Sequence, residues 1–265
     1  MTNTITSADG TRIAFERTGD GPPVIIVDGA LCHRANGPAR PMAAELASDF
    51  TVFIYDRRGR GESGETAEIS LEREIEDLAA LAKEAGGQPF VYGPSSGAML
   101  ALEAANQGVG MAKLAMYEPP LIVDDSREPI AEDMLERISA LVENGRNGDA
   151  VKMFMRSVEV PGFAIAMMRL LPVWSKLKAV APTMRYDFTF MRGLQQGRPL
   201  PETRWAAATV PTLVVDGGKS PAWMRNGVLA MAGVLPNATH RTLPGQNHLV
   251  KAAALAPWLR EFYTA

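Results

Sequence analysis

The residues best suited to covalent chemistry lie in Gly93-Pro94-Ser95-Ser96-Gly97. This Gly-x-Ser-x-Gly pattern is flanked by the apolar run Phe90-Val91-Tyr92 and by the helix-forming run Ala98 to Glu103. A serine on so sharp a strand-to-helix turn, a nucleophile elbow, projects its hydroxyl above the sheet. Glycine on either side lets strand and helix approach without a Cβ clash. Ser95 is therefore a candidate nucleophile for attack on a carbonyl carbon, the alternative being an elbow that only connects two elements. Such a serine needs a base to take its proton and deliver it to the leaving group, and a neutral imidazole suits that work near pH 7. Three histidines are available: His33, His240 and His248. An acid should orient the imidazole and stabilise its charged form. Glu118, in Tyr117-Glu118-Pro119-Pro120, and Asp216, in Val215-Asp216-Gly217-Gly218, both end apolar runs. Either one could instead cap local backbone amides.

These groups must be brought together by strands and helices that alternate along the chain. Apolar runs of strand length are expected at Arg12 to Arg17, Pro23 to Asp28, Thr51 to Asp56, Pro89 to Tyr92, Ala112 to Tyr117, Thr212 to Asp216 and Thr239 to Leu243. Helices fill the gaps. Leu71, Ile75, Leu78 and Leu81 recur at helical spacing before the stop signal Gly86-Gly87, predicting a helix from Leu71 to Ala85, and another should run from Ser95 to about Ala105. The pattern predicts an α/β fold, a mostly parallel sheet flanked by helices. Right-handed crossovers then place the carboxyl ends of the strands along one edge, where open α/β sheets bind ligands.

The alternation breaks between residues 123 and 202, where the reading is mainly helical with Pro161, Pro172 and Pro182 as punctuation. This predicts an inserted helical cap at 123–202 within one domain formed by 1–122 and 203–265. The segment holds seven of the 14 methionines, together with Phe154, Phe163, Trp174, Tyr186, Phe188 and Phe190. Most of these should pack as the segment's own core. Any that line a pocket favour a small to medium apolar or aromatic substrate.

A chain of 265 residues can bury a large core, and a net charge of −3 argues against nucleic acid as a partner. No run approaches the ~18 apolar residues of a membrane span, and Met1 to Gly10 lack a basic-then-apolar leader pattern, so neither membrane insertion nor export is expected. Cys32 is the only cysteine, which excludes an intrachain disulfide and fits a cytoplasmic monomer or homodimer. The run Asp56 to Glu62 carries three arginines but lacks the Gly-Lys-Ser/Thr ending of a phosphate loop, so Asp56 is expected to turn back onto Arg57 or Arg58. Neither Asp124-Asp125 nor Glu132-Asp133 has metal-ligand spacing.

Three motifs together resemble the α/β-hydrolase superfamily, in particular its small-molecule branch with a helical cap. They are the elbow, the loop Asp56-Arg57-Arg58-Gly59-Arg60-Gly61-Glu62-Ser63, and Leu243-Pro244-Gly245-Gln246-Asn247-His248 after the last strand. The resemblance implies that His248 is the base. It implies an oxyanion hole from the backbone amides of Ser96 and Ala30. Where the family most often has its acid, beyond the seventh strand, this chain has Lys219 or Ser220. Glu118 is the leading substitute, because some branches such as haloalkane dehalogenases supply the acid from that strand end, and Asp216 is the second. Asp28 stands where the family usually has histidine. A buried, unpaired carboxylate there would oppose an oxyanion, unless Arg34 or Arg57 neutralises it or it turns aside onto loop amides. Pro94 replaces a residue that is frequently polar in relatives. The implied activity is a cofactor-independent serine hydrolase acting on an ester or lactone. The alternatives are a non-hydrolytic lyase, isomerase or cyclase on the same fold, or a ligand-binding protein with a vestigial elbow.

Overall fold

In chain order the elements are β1 (Asn3–Thr6), β2 (Arg12–Thr18), β3 (Pro23–Ile26), α1 (Ala39–Leu46), β4 (Thr51–Tyr55), α2 (Leu71–Glu84), β5 (Phe90–Pro94), α3 (Ser96–Asn106), β6 (Lys113–Tyr117), α4 (Met134–Glu143), α5 (Asn147–Ser157), α6 (Gly162–Met168), α7 (Val173–Val180), a 3-10 turn (Ala181–Thr183), α8 (Met184–Met191), β7 (Thr212–Gly217), α9 (Ala222–Val234), β8 (Ala238–Leu243) and α10 (Ala252–Thr264). This computed structural model describes residues 2–66 and 68–265.

The eight strands form one sheet in the order β1-β2-β4-β3-β5-β6-β7-β8. Pairing is antiparallel from β1 to β2 and from β2 to β4, and parallel throughout the rest. The middle strands read as continuous apolar runs, Val24-Ile25-Ile26 and Leu114 to Tyr117 among them, because both of their faces are covered. On one face Leu78, Leu81, Met99, Leu102, Val228 and Met231 form the core. On the other, Met42, Leu46, Leu255, Leu259 and Tyr263 from α1 and α10 pack against the sheet.

The helix at Leu71 starts where Ser70 accepts the Arg73 N–H in its side chain, with Glu72 and Glu74 in the first turn and Lys83 in the last. It stops at Gly86 and Gly87, both at positive φ. The sequence gives no sign of β1, an edge strand whose residues are mostly exposed and carry no alternation. The strand read as Pro23 to Asp28 ends at Ile26, so Asp28 belongs to the loop that follows.

Between β6 and β7 the chain has no strand, only α4 to α8 and the 3-10 turn. These helices gather a third apolar cluster, including Ile138, Val151, Ile165, Leu177 and Met184, which takes in Leu31 from the loop after β3 and Trp223 and Met224 from α9. Among the described residues no helix is long and apolar enough to cross a membrane.

Candidate active site

Ser95 sits between β5 and α3 at φ +54°, ψ −132°, a backbone region that L residues rarely occupy. Its N–H donates to Tyr117 O at 2.8 Å, which ties the elbow to the end of β6. The flanking glycines are required by contact. A Cβ on Gly93 would lie 2.6 Å from Gly97 O, and one on Gly97 would overlap Val27 O. Gly97→Ala is therefore expected to force β3 and α3 apart and to cost about 3 kcal/mol or more, measured as a shift in the denaturant midpoint.

Glu118 follows β6 directly, is fully buried, and has φ +46°. One carboxylate oxygen, Oε1, accepts the Gly217 N–H at 2.7 Å, while Oε2 faces His248 Nδ1 at 3.0 Å. The loop carrying His248 is tied to the ends of β6 and β7. Tyr117 Oη donates to Asn247 O at 2.7 Å, and the end of β7 approaches so closely that a Cβ on Gly217 would sit 2.5 Å from Gln246 O. Ser95, Glu118 and His248 thus lie at the carboxyl ends of β5, β6 and β8, along one edge of the sheet. The His248 side chain is about one-third exposed at 37%. Solvent-borne molecules can reach it.

Asp216 is committed elsewhere. It pairs with His240 Nε2 at 2.6 Å, with Arg225 Nε at 3.0 Å and with Thr242 Oγ1 at 2.9 Å. His240 is thereby accounted for as well. His33 bridges to Asn36 through its backbone, 4.0 Å from Asp56 by its ring, and burial holds its pKa below the ordinary value.

The loop after β3 turns at Gly29–Cys32, closed by Cys32 N–H to Gly29 O at 3.3 Å, with Leu31 at φ +60° in the third position. Leucine there occupies a φ at which glycine is favoured. The Ala30 N–H donates to Ser96 Oγ at 2.9 Å. Asp28 is 1% exposed and neither carboxylate oxygen has a partner. Burial pushes its pKa up to about 7, only partly opposed by the charges of Arg60 and Arg57. Neither expected neutraliser reaches it. Arg34 is held by Asp56, Glu16 and Glu62, and Arg57 donates to the Asp28 carbonyl rather than to its carboxylate. The expectation for Asp56 is corrected too: its partner is Arg34, at 2.9 Å through Nη2 and 2.8 Å through the backbone N–H, not Arg57 or Arg58. Those neighbours reach past it, Arg58 to Asp77 and Arg57 to Glu74.

The sequence reading misses Asp187 altogether. It lies on α8, 4% exposed, and accepts Ser96 Oγ, Arg57 Nη1 and Arg60 Nη2, each at 2.8 Å. The two guanidiniums hold its carboxyl below the ordinary range despite burial. One signal was available: Met184, Asp187 and Met191 share a buried helical stripe, and a carboxylate on an apolar stripe calls for a partner.

Among the described residues no cluster of three or more His, Cys, Asp or Glu side chains is arranged to hold a metal ion. A groove of about 580 Å³ runs past Met134, Phe188, Met191 and Gln195, and none of Ser95, Glu118 or His248 lines it. Its place on the helical segment separates it from this chemistry.

The model of the alpha/beta hydrolase family matches residues 28–257. The crystal structure of an alpha/beta hydrolase from Sphaerobacter thermophilus DSM 20745 is 49% identical and superimposes with a TM-score of 0.90, over 98% of this chain and all of that one (100%). A thermophilic esterase from Thermogutta terrifontis is 23% identical with a TM-score of 0.70, over 100% of this chain and 98% of that one, a likeness of fold alone. Among curated proteins, the uncharacterized hydrolase YraK of Bacillus subtilis (strain 168) is 32% identical over 101 residues, 36% of this chain. That match spans about a third of the relative's own length, 35%.

Proposed function

Because the chain belongs to the alpha/beta hydrolase family, we propose that it is a cofactor-independent serine hydrolase with Ser95 as nucleophile, His248 as base and Glu118 as the acid. The observation that carries this reading is the His248 Nδ1 to Glu118 Oε2 pair at 3.0 Å, on the same sheet edge as a serine held at φ +54°. With Nδ1–H donated to the carboxylate, Nε2 is left as the acceptor that proton removal from a serine requires.

Ser95 Oγ attacks the substrate carbonyl as Nε2 takes its proton, and the new oxyanion is met by the Ser96 N–H at the start of α3, the Ala30 N–H expected as second donor being engaged by Ser96 Oγ. Collapse breaks the C–O bond, and the imidazolium returns its proton to the departing alkoxide. Water, deprotonated by the same imidazole, then releases the acid and regenerates Ser95. Buried Asp216 has no part in this scheme, since His240, Arg225 and Thr242 occupy its oxygens. The methionines and aromatics between β6 and β7 favour esters or lactones of small to medium apolar acids.

The test is intact-protein mass spectrometry after fluorophosphonate treatment. A single adduct that maps to Ser95, and is lost in Ser95→Ala and His248→Ala, is expected. No adduct on folded wild-type protein overturns the acyl-enzyme reading and turns the assignment to non-hydrolytic chemistry or ligand binding.

A further inference from the structure

The loop from Asp28 to Cys32 is held almost entirely by groups that converge on one carboxylate. Arg57 Nη1 donates to Asp28 O at 3.2 Å, and Arg60 Nη1 donates to Gly29 O at 2.7 Å and to Cys32 O at 3.0 Å. The remaining anchor is the Ala30 N–H, accepted by Ser96 Oγ at 2.9 Å. All three anchoring side chains, Arg57, Arg60 and Ser96, bond to Asp187. Leu31, in the middle of the same turn, is 5% exposed and packs into the apolar cluster of the helices between β6 and β7.

We propose that Asp187 is a positioning residue, supplied by α8, that sets the loop after β3 relative to the elbow and so fixes the setting of the Ser96 amide. The inference rests on the hydrolase reading given above. Ser96 is the key to the geometry. Its hydroxyl donates its one proton to Asp187 Oδ1, which turns a lone pair toward Ala30. The Ala30 amide is thereby drawn to the residue whose own N–H stands at the start of α3. The Ala30 N–H, spent on Ser96 Oγ, holds the loop in place, and an acyl oxygen entering beside Ser95 meets a Ser96 N–H already oriented, which is where electrostatic catalysis gains its advantage over water.

A structural role alone would make the ion cluster matter and the serine hydroxyl immaterial. A positioning role makes both act through one relay. Asp187→Asn keeps the size but weakens the acceptor, and because it also unbalances Arg57 and Arg60 it is paired with Ser96→Ala, which leaves every ion pair in place. Both variants are expected to lower kcat at least 10-fold with KM changed less than threefold. Both should weaken binding of a trifluoromethyl ketone, a mimic of the tetrahedral adduct, by at least 10-fold. The double variant should be no worse than the poorer single one, and Ser96→Thr, which keeps the hydroxyl, should restore most of the loss.

Hydrogen exchange of the Ala30 amide gives a reading that needs no turnover. It is expected to quicken at least 10-fold in either single variant. Failure of the hydrolase reading would appear as wild-type protein inert to fluorophosphonate while this exchange effect persists. Unchanged exchange and kinetics in Ser96→Ala, or losses that multiply in the double variant, overturn the positioning role.

Discussion

Changing Glu118 to glutamine is expected to lower kcat about 10⁴-fold, the scale set by removing the carboxylate charge from a serine–histidine–acid triad. KM and the fold should hardly change. The argument lies in the two bonds Glu118 makes. Oε1 accepts the Gly217 N–H and Oε2 accepts from His248 Nδ1. Glutamine can keep the first with its carbonyl oxygen, so the β6–β7 junction survives. Its NH₂ group then faces Nδ1 and can only donate, which places the imidazole proton on Nε2. A histidine in that tautomer cannot accept the Ser95 proton. The loss corresponds to about 5.5 kcal/mol of transition-state stabilisation. The control is Asp216→Asn, expected to stay within a few-fold of wild type, since that carboxylate serves His240, Arg225 and Thr242. Steady-state kinetics on a p-nitrophenyl ester would separate the two. A large loss in Asp216→Asn with little in Glu118→Gln would reverse the assignment.

Asp28→Asn is expected to make stability less sensitive to pH. The folded protein holds the Asp28 proton to about pH 7, against an ordinary value of 3.8. The folded state therefore binds more protons than the unfolded state between these values, and stability falls as pH rises through that window. The contribution is complete below pH 3.8 and is lost above about 7. The whole displacement corresponds to roughly 4 kcal/mol. The charge balance explains it: Arg57 and Arg60 are already matched by Glu74 and Asp187, so no cation is left for Asp28. An asparagine has no charge to bury. Denaturant midpoints at pH 4.5 and pH 8 should show the variant gaining about 3 kcal/mol on wild type between the two conditions. On the hydrolase reading an ionised carboxylate in this loop opposes a nearby oxyanion, so kcat/KM of the variant should fall less above pH 7 than that of wild type. Parallel pH profiles of stability would sink the assignment.

Much of the sheet is legible in the sequence because its central strands are buried on both faces and read as unbroken apolar runs. The placing of Ser95, Glu118 and His248 on one sheet edge is legible for a related reason. Each follows a strand, and parallel strands share a carboxyl edge. The choice between Glu118 and Asp216 is not legible. Both are acids at neighbouring strand ends, and only three-dimensional packing reveals that His240 on β8 and Arg225 on α9 claim Asp216. Asp187 is hidden for a deeper reason: its partners are 130, 127 and 91 residues away in sequence. A short spacing pattern can encode an elbow but not such a junction. The arginines of Asp56 to Glu62 mislead in the same way, since Arg57 and Arg58, on a tightly turning loop, find carboxylates on α2, Glu74 and Asp77.

Among the described residues four non-glycine residues have positive φ, and three of them, Leu31, Ser95 and Glu118, lie at or beside the candidate site. Backbones held in sparsely populated regions cost of order 1–3 kcal/mol each. Together they approach the 5–15 kcal/mol by which a whole domain resists unfolding. Heat resistance and reactivity therefore pull against each other at this end of the sheet. Replacing Ser95 with glycine should relieve part of the tension and raise the melting temperature while activity falls, whereas at Leu31 the loss of a buried side chain outweighs any relief. Selection for thermal endurance alone would be expected to erode the chemistry first, leaving the sheet as it is.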